Sequence, residues 1–188
     1  MIILISAVGS TGKTLMAQKL LEKYHIPYLS IDHLKMGLYR GDKNCGFTPM
    51  DSNEVIGDKI WPILKGLIMT NIENKQHIII EGCYILPHYL KDFDINYSEK
   101  IVPVFLGFST NYIKENFESK IVQHRNAIEQ RSWPEDRSID KLIKEHEEFK
   151  AICLESGVKY FEIDEDYDNE VITVYNYIEA EKRRMDAL

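Results

Sequence analysis

The sequence predicts an α/β fold: a five-stranded parallel sheet with helices on both faces. Three observations carry that expectation. Strand-like and helix-like segments alternate from end to end, which is the order βαβ units require. The clearest strand candidates, the stretch beginning Met1-Ile2-Ile3-Leu4-Ile5 and His77-Ile78-Ile79-Ile80-Glu81, are apolar throughout rather than alternating, as strands buried on both faces are. Between the first strand and the first helix stands a loop of small residues, Ala7-Val8-Gly9-Ser10-Thr11-Gly12-Lys13-Thr14.

The elements follow in order. The first strand covers Ile2 to Ala7, and the helix after the loop carries Leu15, Met16, Leu20, Leu21 and Tyr24 at helical spacing. Pro27 to Ile31 reads as the second strand, ending at Asp32. Asp51 followed by Glu54 marks a helix start, and Ile56, Ile60, Ile63, Leu64, Leu67 and Ile68 continue that helix, with a kink expected at Pro62. His77 to Glu81 is the third strand and Ile101 to Phe108 the fourth. A helix through Ile113, Phe117, Ile121 and Ile128 precedes another from Ile139 to Cys153, which stops at Gly157. Val158 to Ile163 is the fifth strand, and Val171, Val174 and Ile178 mark the final helix.

The 188 residues are expected to form one domain, 1–188, large enough to bury a core unaided. Apolar residues at 44% and charged residues at 28% are ordinary for a globular chain. A net charge of −7 argues against a nucleic-acid partner, which needs a broad basic face. Cys45, Cys83 and Cys153 are odd in number and lack metal-ligand spacing, so neither a disulfide framework nor a zinc site is indicated. The start of the chain is too short in apolar residues for a signal peptide, and no apolar run approaches the ~20 residues of a membrane span. A cytoplasmic protein with no membrane partner is expected.

The loop carries the chemistry. Gly9 and Gly12 permit backbone angles that let successive N–H groups turn inward around phosphate oxygens, and the following helix adds the positive end of its dipole. Ser10 and Thr11 lie within this cradle, Lys13 can reach the β- and γ-phosphates, and the Thr14 hydroxyl is placed to ligand Mg²⁺. The first glycine of the usual pattern is replaced by Ala7, a position that shapes the loop and supplies no ligand. In a parallel sheet, ligands sit beyond the carboxyl ends of the strands. Asp32 and Glu81 fall at such ends and should converge with the loop on one cleft.

Together these residues resemble the phosphate-loop small-molecule kinases, the group that includes adenylate and shikimate kinases, chloramphenicol phosphotransferase and the zeta-toxin-like kinases. The resemblance is carried by Gly9 to Thr14, Ser30-Ile31-Asp32-His33-Leu34, Ile79-Ile80-Glu81-Gly82 and the arginines from Arg125 to Arg137. It implies the phosphate-loop NTPase fold with sheet order 2-3-1-4-5, ATP over the loop, an acceptor region at about 32–75 and a lid at about 125–138. By the same resemblance Asp32 would be the catalytic carboxylate that orients and deprotonates the acceptor. Read from its position alone, Asp32 could also cap the helix that follows, a role compatible with the first.

The resemblance also implies that Glu81 would hold Mg²⁺ through water or contact the acceptor, a metal or basic partner being what a buried carboxylate needs; read from its position alone, it could be a strand-end residue facing solvent. Arg125, Arg131 and Arg137 flank Ser132-Trp133-Pro134, a break between helices, and would clamp phosphate charge from the lid, with Arg125 on the nucleotide, Arg131 at the transferring group and Arg137 toward the substrate. Glu129, Glu135 and Asp136 offer them ordinary ion pairs instead. Arg40 would bind an acidic substrate or lie solvated. Trp61 is expected in the core, or else in the acceptor pocket wall. The expected activity is an ATP- and Mg²⁺-dependent transfer of the γ-phosphoryl group to a small-molecule hydroxyl. The alternatives are a nucleoside monophosphate kinase and a noncatalytic nucleotide-binding regulator.

Overall fold

The computed structural model describes residues 1–124, 128 and 137–187. Its sheet has five parallel strands, β1 (Ile2–Ala7), β2 (Tyr28–Ser30), β3 (Ile78–Glu81), β4 (Ile101–Phe108) and β5 (Tyr160–Ile163), in the spatial order β2-β3-β1-β4-β5. β1 lies at the centre, with Ile5 beside Glu81 of β3 and Ala7 beside Leu106 of β4. Every residue of β1 is buried, so both faces of the strand pack. Ile2 and Leu4 face one layer with Ile56, Ile60 and Leu64, while Ile3, Ile5 and Ala7 face the other with Met16, Leu20 and Val174. This division is the two-residue period of a strand in a sheet covered on both sides.

The helices are α1 (Lys13–Tyr24), α2 (Ile31–Gly41), α3 (Asn53–Glu73), the single turn α4 (Ile95–Ser98), α5 (Thr110–Asn116), α6 (Ile139–Glu155) and α7 (Tyr167–Asp186). α5 passes into a π-helical stretch, Phe117–Val122, so the expected helix through Ile121 is present but wider in its second half. Several boundaries differ from the sequence reading. The second strand stops at Ser30, and Asp32 lies in the first turn of α2 rather than at its cap, which is Ser30. α3 is capped by Ser52, whose hydroxyl accepts from the Val55 N–H, while Asp51 instead accepts from the Thr48 N–H. α3 keeps Pro62 inside it, with the residue exposed. Trp61 belongs to the core: its ring stacks on Tyr89 at 4.6 Å and its indole N–H donates to Asp92.

Candidate active site

The small-residue loop leaves β1 at Ala7 and enters α1 at Lys13. Ala7 is still extended and paired with Leu106, so this position needs no glycine. The unusual backbone angles fall later, at Ser10 (φ 69°) and Gly12 (φ 83°). Gly12 is required twice over, because a Cβ there would also lie 2.3 Å from the Tyr167 hydroxyl oxygen. That hydroxyl donates to the Thr11 carbonyl and ties the start of α7 to the loop. The Thr11 hydroxyl and the Lys13 ammonium both donate to the Val8 carbonyl, at 2.9 and 3.1 Å. Gly12 caps α1 without a side-chain acceptor, and the first turn of α1 carries no acid. The N–H groups at the start of α1 therefore meet no competing anion from a cap or from that turn, and with Lys13 they form an anion cradle.

Glu81 ends β3 and is 1% exposed. The Thr14 hydroxyl donates to its Oε1 at 3.3 Å. One hydroxyl and one carboxylate side by side fit Mg²⁺, which takes hard oxygen ligands and keeps several waters. No group of three or more His, Cys, Asp or Glu side chains suited to a metal occurs among the described residues. The arrangement therefore suits a metal shared with phosphate oxygens better than one caged by protein alone.

On the β2 side, Asp32 points to a partner the sequence reading missed. The Lys35 ammonium donates to Asp32 Oδ1 at 2.9 Å and to the Tyr84 hydroxyl at 2.6 Å, and that hydroxyl donates to Asp32 Oδ1 at 3.3 Å. Burial pushes the Asp32 carboxyl upward, but the Lys35 hydrogen bond and charge, the Lys13 charge and the Tyr84 hydroxyl outweigh it and hold the pKa below the ordinary value. Burial works against the Lys35 ammonium, yet Tyr84 and Asp32 hold its pKa above the usual lysine value. The Tyr84 hydroxyl is pushed up to about 12, first by burial and then by the Asp32 charge. Asp32 is thus an anion, Lys35 a cation and Tyr84 neutral at physiological pH.

On the opposite side, Arg137 lies against the loop. Its guanidinium donates to the Ser10 hydroxyl at 3.1 Å and pairs with Glu145 at 3.2 Å. A Cβ on Gly9 would come within 3.2 Å of Arg137 Nη1, so this glycine admits the guanidinium to the loop. If Arg137 clamps phosphate as expected from the sequence, Arg137→Ala should lower nucleotide turnover by about 10²–10³-fold, the usual loss when one donor to transition-state charge is removed. A steady-state assay with native-like melting would check this. His146, 2% exposed on α6, accepts from the Phe108 N–H, and its pKa is pushed down to about 3 by burial, with the Arg137 and Lys13 charges adding. It is a neutral structural imidazole behind the loop.

A cleft of about 530 Å³ opens beside Ala7, Val8 and Gly9. Its walls are the start of α3 (Asp51 to Glu54), Cys83 and Leu86 after β3, and Arg137, Lys141 and Glu145 at the start of α6. Asp32, Lys13 and Glu81 are not among its lining residues, although Tyr84, which holds Asp32, directly follows Cys83. Within the expected acceptor region, residues 39–49 contribute no wall to this cleft, whereas Asp51 to Glu54 do. Arg40 is exposed on the last turn of α2, eight residues beyond Asp32 and so about 12 Å along the helix axis. Arg125 and Arg131 lie outside the described residues.

A scan against protein-family models finds no match, and a sequence search of curated proteins finds none either. Solved structures do match. Shikimate kinase from Aquifex aeolicus superposes with a TM-score of 0.55 at 15% identity, over 96% of this chain and 97% of that one. A gluconokinase from Sinorhizobium meliloti gives 0.52 at 15% identity, over 97% and 91%. Shikimate kinase from Bacteroides thetaiotaomicron gives 0.52 at 16% identity, over 95% and 98%. The chain has the fold of the phosphate-loop small-molecule kinases, in the strand order their resemblance implied.

Proposed function

We propose that this chain is an ATP- and Mg²⁺-dependent phosphotransferase that moves the γ-phosphoryl group to a hydroxyl of a small molecule. The observation that carries the reading is convergence: the cradle at Gly9 to Thr14, the carboxylates Asp32 and Glu81, and Arg137 all gather at the carboxyl edge of one parallel sheet. Structural likeness to shikimate kinases and a gluconokinase supports it. In this reading the loop N–H groups and Lys13 hold the triphosphate, with Lys13 leaving the Val8 carbonyl for phosphate oxygens. Thr14, and Glu81 through water, would hold Mg²⁺, which when bound would offset the negative charge that develops during the transfer.

Asp32 accepts the acceptor's O–H and fixes its oxygen in line with the phosphoryl group. Because phosphoryl transfer is largely a matter of positioning and charge stabilisation, a low-pKa carboxylate suffices: it must be ionised and aimed, and the proton can pass late. Arg137 donates to the non-bridging oxygens, Arg131 is proposed to do so from the lid, and Arg125 to contact the nucleotide. The proposed acceptor is a small molecule, with neither nucleic acid nor membrane as partner; no helix among the described residues is long and apolar enough to cross a membrane.

The test is purified protein with Mg²⁺·ATP against a panel of sugars, hydroxy acids, aminoglycoside and phenicol antibiotics, and nucleoside monophosphates, read as acceptor-dependent ADP formation. A hydroxyl compound should stimulate ADP release and emerge phosphorylated. Stimulation by a nucleoside monophosphate alone would replace this reading with the monophosphate kinase.

A further inference from the structure

Asp32 is clamped on one oxygen only. Lys35 and Tyr84 both donate to Oδ1, at 2.9 and 3.3 Å, and close a triangle because Lys35 also donates to Tyr84. Among the described residues no donor falls on Oδ2. Lys35 is a cation with only 8% of its surface exposed, a costly placement unless it is paired. An i,i+3 pair confined to the helix surface would not need Tyr84, which comes from beyond β3, 49 residues from Lys35. The clamp therefore joins α2, whose first turn carries Asp32, to the segment after β3.

We propose that Lys35, braced by Tyr84, is the positioning residue of this site: it fixes the Asp32 carboxylate through Oδ1 so that Oδ2 is presented to the acceptor hydroxyl. The purpose of this role rests on the kinase reading above, but the clamp itself does not. The charged and titratable groups facing Asp32 are Lys35 on its own helix, Lys13 on α1 and Tyr84 after β3. Of these, Lys35 alone couples a full opposite charge with a direct hydrogen bond, so its removal takes away the two largest influences that oppose burial at Asp32. The depressed carboxyl also bears on stability. Its unfolded-state pKa is near 3.9, so the pair contributes stability above that pH and loses it as the pH falls through the lower folded-state value.

The experiment follows the ¹³C-labelled carboxyl of Asp32, assigned with Asp32→Asn, between about pH 4 and 8 in the native protein, Lys35→Met and Lys35→Arg. In the native protein Asp32 should not titrate in this window. In Lys35→Met its midpoint should rise by about 1–3 units, the usual consequence of removing an adjacent opposite charge; Lys35→Arg should keep it low. ADP release from Mg²⁺·ATP, with water as the acceptor, should be flat on the acid side in the native protein and fall below the new midpoint in Lys35→Met. An Asp32 midpoint unchanged in Lys35→Met, or a moved midpoint with an unmoved rate profile, overturns the proposal. If Lys35→Met does not fold, Tyr84→Phe decides: a smaller upward shift of the same midpoint supports the clamp, and no shift overturns it. The expected Asp32 midpoints in all three forms, in a native protein that neither binds ATP nor releases ADP, would leave the clamp standing and remove the kinase reading.

Discussion

Asp32→Asn is expected to lower acceptor-dependent turnover by about 10²–10⁴-fold, the usual loss when a positioned proton acceptor is removed, while leaving Mg²⁺·ATP affinity close to native. The amide keeps the shape of the carboxylate, so α2 should still form and the phosphate loop should not notice the change. In the proposed mechanism, what is lost is the negative oxygen that accepts the acceptor's O–H. The amide can also turn an N–H₂ toward Lys35, setting donor against donor, so a modest loss of stability should accompany the kinetic defect. Rapid-quench turnover with the identified acceptor, alongside calorimetric ATP titration, separates the two effects. An acceptor that is already ionised would show the defect mainly in its KM. Native values for both parameters in a folded variant would move the acceptor-activating role to Glu81.

Gly12→Ala is the second large effect. The residue has φ 83°, and its added methyl would sit 2.3 Å from the Tyr167 hydroxyl oxygen. A side chain there therefore meets backbone strain, worth about 1–3 kcal/mol, and a collision that must push Tyr167 away from the Thr11 carbonyl. Both errors fall on the anion cradle. The expected result is an ATP affinity at least about tenfold weaker, since about 1.4 kcal/mol corresponds to that factor, together with a lower melting temperature. Calorimetry of ATP binding and a thermal melt on the same sample check it. Gly12→Ala with Tyr167→Phe should recover part of the binding, because the hydroxyl that collides is gone.

The sheet was legible because buried parallel strands are continuously apolar: Ile101 to Phe108 was read to the residue, and the strand order followed from the resemblance carried by Gly9 to Thr14. Edges were less legible. Whether Ile31 ends a strand or opens a helix depends on what it packs against, and Ile31 is fully buried among Leu4, Ile80 and Trp61 as the first residue of α2. The site divided in the same way. The loop, Asp32 and Glu81 could be named because each lies at a strand end, where topology fixes the location. The Asp32 and Lys35 spacing, three apart on a helix, was a signal available in the sequence and overlooked. Tyr84 was not available in this way, since it reaches Asp32 across 52 residues through the register of β2 on β3. Arg137 came through a similar long connection, 127 residues from Ser10, and three arginines in a row gave no local reason to prefer it. Arg40, read as an acidic-substrate contact or a solvated side chain, lies exposed on the last turn of α2.

The measurement that bears most directly on the central claim is a calorimetric titration of Mg²⁺·ATP into the native protein and into Lys13→Ala. Lys13 is 7% exposed, and among the described contacts its ammonium donates to the Val8 carbonyl, so its alanine variant should keep the sheet and lose the cation of the cradle. The account predicts saturable one-to-one binding to the native chain and binding at least about tenfold weaker to Lys13→Ala, with both proteins melting cooperatively. Equal affinity in the two proteins, or no binding to a folded native chain, would contradict it.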